Sequence, residues 1–90
     1  MLDIFYSTKI KKDIKLIKKR NYDLKKFNYV VDLLRENKPL PPQYLDHQLS
    51  GDYAKFRECH IEPDWLLIYR IENDTLILVL LRTGTHSDLF

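Results

Sequence analysis

The sequence predicts an α+β domain in which a two-helix hairpin packs on one face of a mostly antiparallel sheet. Three observations carry that expectation. Apolar residues recur at helical spacing between Lys9 and Leu34, apolar runs of strand length follow Tyr53, and the breaks between those runs are too short for helical crossovers. A chain of 90 residues has room for one modest core, so residues 1–90 read as a single domain.

Each element has its own signal. Residues 2–6 are short and rich in strand formers, and Ser7 or Thr8 then offers an oxygen to cap a helix. Over residues 9–20, Ile10, Ile14 and Ile17 form an apolar stripe while lysines fill the remaining surface, which gives an amphipathic helix with a basic face. Asp23 caps a second helix whose stripe is Leu24, Phe27, Val31 and Leu34, and Asn37 with Pro39 ends it. Pro39, Pro41 and Pro42 favour an extended connection, which puts His47 on a loop ahead of the Ser50-Gly51 turn signal. Residues 53–61 read as a strand, Glu62-Pro63 as a break, and residues 65–71 as a largely buried strand that starts at a core Trp65. Across a two-residue turn at Asn73-Asp74, residues 75–81 form a nearly continuous apolar strand, and residues 82–90 follow as a polar tail.

Charge is unevenly spread. Residues 1–38 carry eleven Lys or Arg against five Asp or Glu, whereas residues 39–90 carry four against eight, so a net +6 precedes a net −4. The excess is concentrated at Lys9, Lys11, Lys12, Lys15, Lys18, Lys19, Arg20, Lys25 and Lys26, a surface suited to a polyphosphate. No apolar run approaches the roughly 20 residues of a membrane span. The N-terminus lacks a signal-peptide pattern, and Cys59 has no partner for an internal disulfide, so a reducing cytoplasm is expected and no membrane partner. Cys59 itself reads as a small core residue.

The candidate chemistry lies in the acidic half. His47, His60, Asp64 and His86 can supply the two proton transfers of RNA cleavage, in which a ribose 2′-hydroxyl is deprotonated and the departing 5′-oxygen protonated; each such group contributes roughly 10²- to 10⁴-fold. His60 and Asp64 flank the same break and are expected to meet across it, the carboxylate orienting an imidazole. Arg82, near the end of the last strand, offers a planar fork to phosphate oxygens, and Phe90 a ring to stack on a base. This chemistry needs no metal or cofactor. The three histidines show no compact ligand spacing, and one cysteine cannot build a thiolate cluster.

Three segments carry a family resemblance: Leu40-Pro41-Pro42 with Asp46-His47; Glu58-Cys59-His60-Ile61-Glu62-Pro63-Asp64-Trp65-Leu66-Leu67-Ile68-Tyr69; and Arg82-Thr83-Gly84-Thr85-His86-Ser87-Asp88-Leu89-Phe90. With these motifs the chain resembles YafQ-type toxins of the RelE/ParE superfamily over essentially its whole length. The resemblance implies a compact microbial-ribonuclease-like fold and a ribosome-dependent endonuclease that cuts mRNA in the A site, neutralised by a small cognate antitoxin. It assigns the active site to His47, His60, Asp64, His86 and Phe90, with Arg82 on phosphate and Lys9, Lys11, Lys12, Lys15, Lys18 and Lys19 on ribosomal RNA backbone. Division of labour between base and acid stays open; the preferred arrangement makes His86 the base, supported by His60 with Asp64 and by His47. The competing expectation is a relative that poisons a protein target such as DNA gyrase without cutting RNA, since a shared fold does not settle function.

Overall fold

A computed structural model describes residues 1–90 as one five-stranded sheet in the order β1-β5-β4-β3-β2, with helices on both faces. The elements are β1 (Asp3–Tyr6), α1 (Thr8–Lys19), α2 (Leu24–Arg35), β2 (His47–Gln48), β3 (Arg57–Glu62), β4 (Trp65–Glu72), β5 (Ile77–Gly84) and α3 (His86–Leu89). β1 runs parallel to β5, and every other pairing is antiparallel.

Ser7 caps α1 by accepting the Ile10 amide, and Asp23 caps α2 by accepting that of Lys25. The helices bury Ile10, Ile17, Phe27, Val30, Val31 and Leu34 against alternate residues of three strands: Cys59 and Ile61, Trp65 and Leu67, Leu78 and Leu80. Period-two alternation is what lets one strand serve two faces. On the reverse face Leu66 and Ile68 of β4 meet Leu89 of α3, so the middle strand is covered on both sides. Trp65 stacks on Phe27, lies edge-on to Tyr22, and donates its indole N–H to the Thr83 hydroxyl, which makes it the fully buried hinge pin of the helix face. Cys59 is likewise buried, and burial pushes its thiol pKa well up, as an inert core residue requires.

β1 ends at Tyr6, opposite Leu80, and α1 then takes over as the neighbour of β5. The Ser7 amide donates to the Leu80 carbonyl, the Ser7 hydroxyl to the Leu81 carbonyl, and the Thr83 amide to the Asp13 carboxylate. The basic helix is thereby fixed against the strand that leads into His86.

Several sequence expectations need correction. His47 is not on a loop: it opens the two-residue β2 and pairs with Glu58. The strand expected over residues 53–61 starts four residues later, at Arg57, because Tyr53 still belongs to a short 3₁₀ turn over Gly51–Tyr53. The turn between β4 and β5 is four residues long, Asn73 to Leu76, with Leu76 left-handed at φ 57°, so β5 begins two residues later than expected. β5 then continues to Gly84, and the "polar tail" folds into α3. Its start was readable as Thr85-x-x-Asp88, a capping box in which side chain and backbone satisfy each other at both positions.

Candidate active site

Sheet register gathers the histidines. His47 lies opposite Glu58 on β2 and β3, and His60, two residues beyond Glu58, shares its face. His60 pairs with Leu66, Leu66 pairs with Gly84, and two residues beyond that last pair on each chain Asp64 lies beside His86. The rings form a row, with centroids 6.3 Å apart for His47 and His60 and 5.9 Å for His60 and His86. Residues separated by 39 positions thus share one rim of the sheet.

Each imidazole is anchored through Nδ1. His47 Nδ1 meets the Leu45 carbonyl at 2.7 Å, and His60 Nδ1 meets that of Pro63 at 3.2 Å. A carbonyl only accepts, so both rings keep a hydrogen on Nδ1 and present Nε2. Those two Nε2 atoms converge on one Glu58 oxygen, at 3.5 Å and 3.7 Å. A second proton on either ring makes it a cation facing a carboxylate, the form in which it can act as an acid. Glu58 is almost fully buried, and its residue type and i, i+2 spacing from His60 on a strand were the missed signal of its role.

His86 has a different anchor. Its Nδ1 donates to Asp64 at 2.6 Å and its backbone amide donates to the same oxygen at 3.0 Å. These bonds, the backbone one foremost, hold the Asp64 carboxyl below the ordinary carboxylate range. The expected pairing of His60 with Asp64 is therefore corrected: the carboxylate orients His86, because the ladder between β4 and β5 extends toward it while the tight turn after β3 turns it away from His60. His86 Nε2 is left with a lone pair and open access, since the ring is half exposed.

Asp46 sets the approach to His47. It accepts a two-pronged bond from Arg57, both arms 3.2 Å, and the Tyr69 hydroxyl at 2.5 Å; burial and that carboxylate push the Tyr69 pKa well up. Between Asp46 and the 3₁₀ turn at Pro42–Tyr44, Leu45 is left-handed at φ 48°, an arrangement that is strained for a branched residue and turns its carbonyl onto His47. An open groove of about 590 Å³ starts at His60 and passes Tyr44 and Leu45 toward the Lys26–Glu62 ion pair.

The remaining expected residues are distributed as follows. Arg82 reaches Asp13 of α1 through Nε at 2.7 Å and Nη2 at 3.1 Å, which leaves one terminal nitrogen for a phosphate where the sequence suggested a whole fork. Phe90 is exposed and edge-on to Tyr53 at 6.0 Å. Lys9, Lys11, Lys12, Lys15, Lys18 and Lys19 are all exposed along α1. Each is a free cation with no ion pair to a neighbouring side chain.

Folding also creates a donor set that linear spacing did not offer. Ligand atoms of His47, Glu58 and His60 lie within 4.8 Å of one another, and imidazole nitrogens with Nδ1 already bonded to carbonyls, plus one carboxylate, suit a zinc- or copper-like ion. Ligands at about 2.1 Å from a tetrahedral ion stand roughly 3.4 Å apart, so the set needs only a small contraction to close.

Comparison with known proteins now bears on this geometry. A family model described as "Bacterial toxin of type II toxin-antitoxin system, YafQ" matches residues 2–90. A curated Escherichia coli K12 protein named mRNA interferase toxin YafQ is 46% identical over 89 residues, covering 98% of this chain and 95% of the relative. Among solved structures, a metal-bound toxin from Helicobacter pylori superposes with a TM-score of 0.94 at 47% identity, with full coverage of both chains. The E. coli DinJ-YafQ complex superposes at 0.91 with 44% identity, covering 100% of this chain and 99% of that one.

Proposed function

The chain belongs to the YafQ family of bacterial type II toxin–antitoxin toxins, and from that premise we propose that it is an mRNA interferase: an endoribonuclease that halts translation until a cognate antitoxin binds it. The curated E. coli relative carries that activity in its name, and a relative solved with DinJ supports an antitoxin partner. The observation that carries the catalytic reading is the row of three imidazoles with Asp64 behind one end and Glu58 beneath the other.

Cleavage follows from that row. His86, with Nδ1–H tied to Asp64, takes the 2′-hydroxyl proton on Nε2. The 2′-oxygen attacks phosphorus, the bond to the 5′-oxygen breaks, and a proton from Nε2 of His60 or His47 passes to that oxygen. Products are a 2′,3′-cyclic phosphate and a 5′-hydroxyl, so the step consumes no water. Positive charge on the two rings over Glu58, with the free nitrogen of Arg82, stabilises the crowded phosphorus centre. Phe90 stacks on a flanking base, and the groove beside His60 receives the next nucleotide.

Ribosome dependence is part of the proposal. The lysine face of α1 binds ribosomal RNA backbone through charge, which positions the protein without choosing a codon, and the reaction takes place on A-site mRNA in the cytoplasm. The donor set at His47, Glu58 and His60 fits a metal ion, which would occupy the acid end of the row. The test is to express the chain with and without its antitoxin and map mRNA ends and their chemistry. New ends with cyclic phosphates at in-frame codons, absent with antitoxin, are expected; growth arrest with intact message would overturn the nuclease reading.

A further inference from the structure

His86 and Asp64 cannot hold one another unaided: both side chains are more than half exposed, where a charged contact in water is weak. The helix that carries His86 gives little intrinsic help, since α3 is four residues, one turn, and an isolated turn does not persist. Something else must fix it. The Asp88 carboxylate lies at the centre of a bracket around α3, accepting the Thr85 amide at 2.9 Å while the Thr85 hydroxyl accepts the Asp88 amide at 3.2 Å. Arg20, 68 residues away at the end of α1, closes the bracket with a fork on the same carboxylate, Nη1 at 2.6 Å and Nη2 at 3.1 Å.

Gly84 is shaped around this contact. At φ +152° a Cβ would stand 2.9 Å from the Asp88 carboxylate, so only glycine lets the acid close over the end of β5. Arg20 is no loose surface residue either, because its backbone amide still bonds the last turn of α1 and that helix is tied to β5 through Ser7 and Asp13. Leu89 on Leu66 and Ile68 supplies the apolar half of the attachment.

We propose that Arg20 and Asp88 are positioning residues for the cleavage step: their ion pair fixes the one-turn helix α3 so that His86 is delivered onto Asp64 with Nε2 aimed at the substrate. The proposal rests on the nuclease reading for its effect on rate, and on the geometry alone for its effect on His86. It links the helix that faces RNA to the helix that bears the base. A misplacement of about 1 Å at a reacting group lowers rate about 10²-fold, so a one-turn helix released from its clamp is enough to matter.

The test uses Arg20→Ala, Arg20→Lys and Asp88→Asn in the full chain, with single-turnover cleavage on programmed ribosomes and the His86 amide and Nδ1 nuclear magnetic resonance signals as readouts. Asp88→Asn keeps a capping oxygen but removes a negative charge, so plain electrostatics would improve RNA binding. Lost positioning predicts instead a saturating rate down by at least about tenfold with no rise in the half-saturating ribosome concentration. Arg20→Ala should lower the saturating rate similarly and also weaken binding, and Arg20→Lys, which retains charge and loses the fork, should fall between. In all three the His86 signals should move toward those of an unbonded ring. Unchanged His86 signals would overturn the clamp, and saturating rates within about twofold of the parent would overturn its role in the reaction. If the parent protein cuts no RNA, the nuclease reading fails while the His86 signals still decide whether the clamp exists.

Discussion

The centre of the sheet and its histidine-bearing rim are built on opposite principles. At the centre, β4 is covered on both faces, and its side chains Trp65, Leu66, Leu67 and Ile68 are held mainly by burial, with one indole hydrogen bond from Trp65 to Thr83. At the rim, His47, Asp64 and His86 are exposed; the His47 ring donates to a carbonyl, and the His86 ring and amide donate to the Asp64 carboxylate. Burial is non-directional and sets which residue lies opposite which; hydrogen bonds then aim individual nitrogens. The core therefore decides that a histidine row exists, and the rim decides which nitrogen of each ring is bonded to the protein and which is left over.

Core and rim should separate cleanly under mutation. The largest effect is expected from Trp65→Ala, which removes the stacking partner of Phe27 and leaves the Thr83 hydroxyl without its indole donor; it should destabilise the fold by about 3–5 kcal/mol, measured by chemical denaturation. A loss below about 1 kcal/mol would mean that the helix face does not depend on this ring. Asp64→Asn should do the reverse. An amide in that place favours the wrong His86 tautomer, so the cleavage step should slow by roughly 10²- to 10⁴-fold while the melting temperature stays nearly constant. If instead stability collapsed and the residual folded fraction cleaved normally, rim and core would not be distinct.

The smallest effect is one of pH. The Arg20 guanidinium, with the Thr85 amide, holds the Asp88 carboxyl well below its ordinary value of 3.8. A depressed acid contributes stability that is complete above the unfolded value and is lost as pH falls through the folded one. The difference in melting temperature between the protein and Asp88→Asn should accordingly be flat from about pH 5 to 8 and shrink below about pH 4. A difference that grew on acidification would show that the clamp is not an ionised pair.

The same division explains what the sequence disclosed. Helices α1 and α2 were legible because Ile10, Ile17, Phe27 and Leu34 repeat a helical period with Ser7 and Asp23 at their starts, and β4 because an apolar run of that length has few other uses. Short elements were not: β2 has two residues, too few for any periodicity, and α3 one turn, visible only through its capping box. Among the candidate site residues, the three histidines and Asp64 stood out by residue type, but their partners were set by register. Asp64 meets His86 because Leu66 lies opposite Gly84, and Glu58 underlies two rings because His47 lies opposite it, facts of pairing that linear spacing does not contain. Arg82 shows the converse, since its planar fork was expected on phosphate and two of its three nitrogens are bonded to Asp13 instead.

The central claim is that His86, oriented by Asp64, removes the 2′-proton. Single-turnover cleavage of mRNA on programmed ribosomes by His86→Ala tests it most directly, with binding checked at the same toxin concentrations. The account predicts normal ribosome binding and a cleavage step slowed by at least about 10²-fold, because a general base contributes on that scale. A His86→Ala protein that binds normally and cleaves at the parent rate would contradict it.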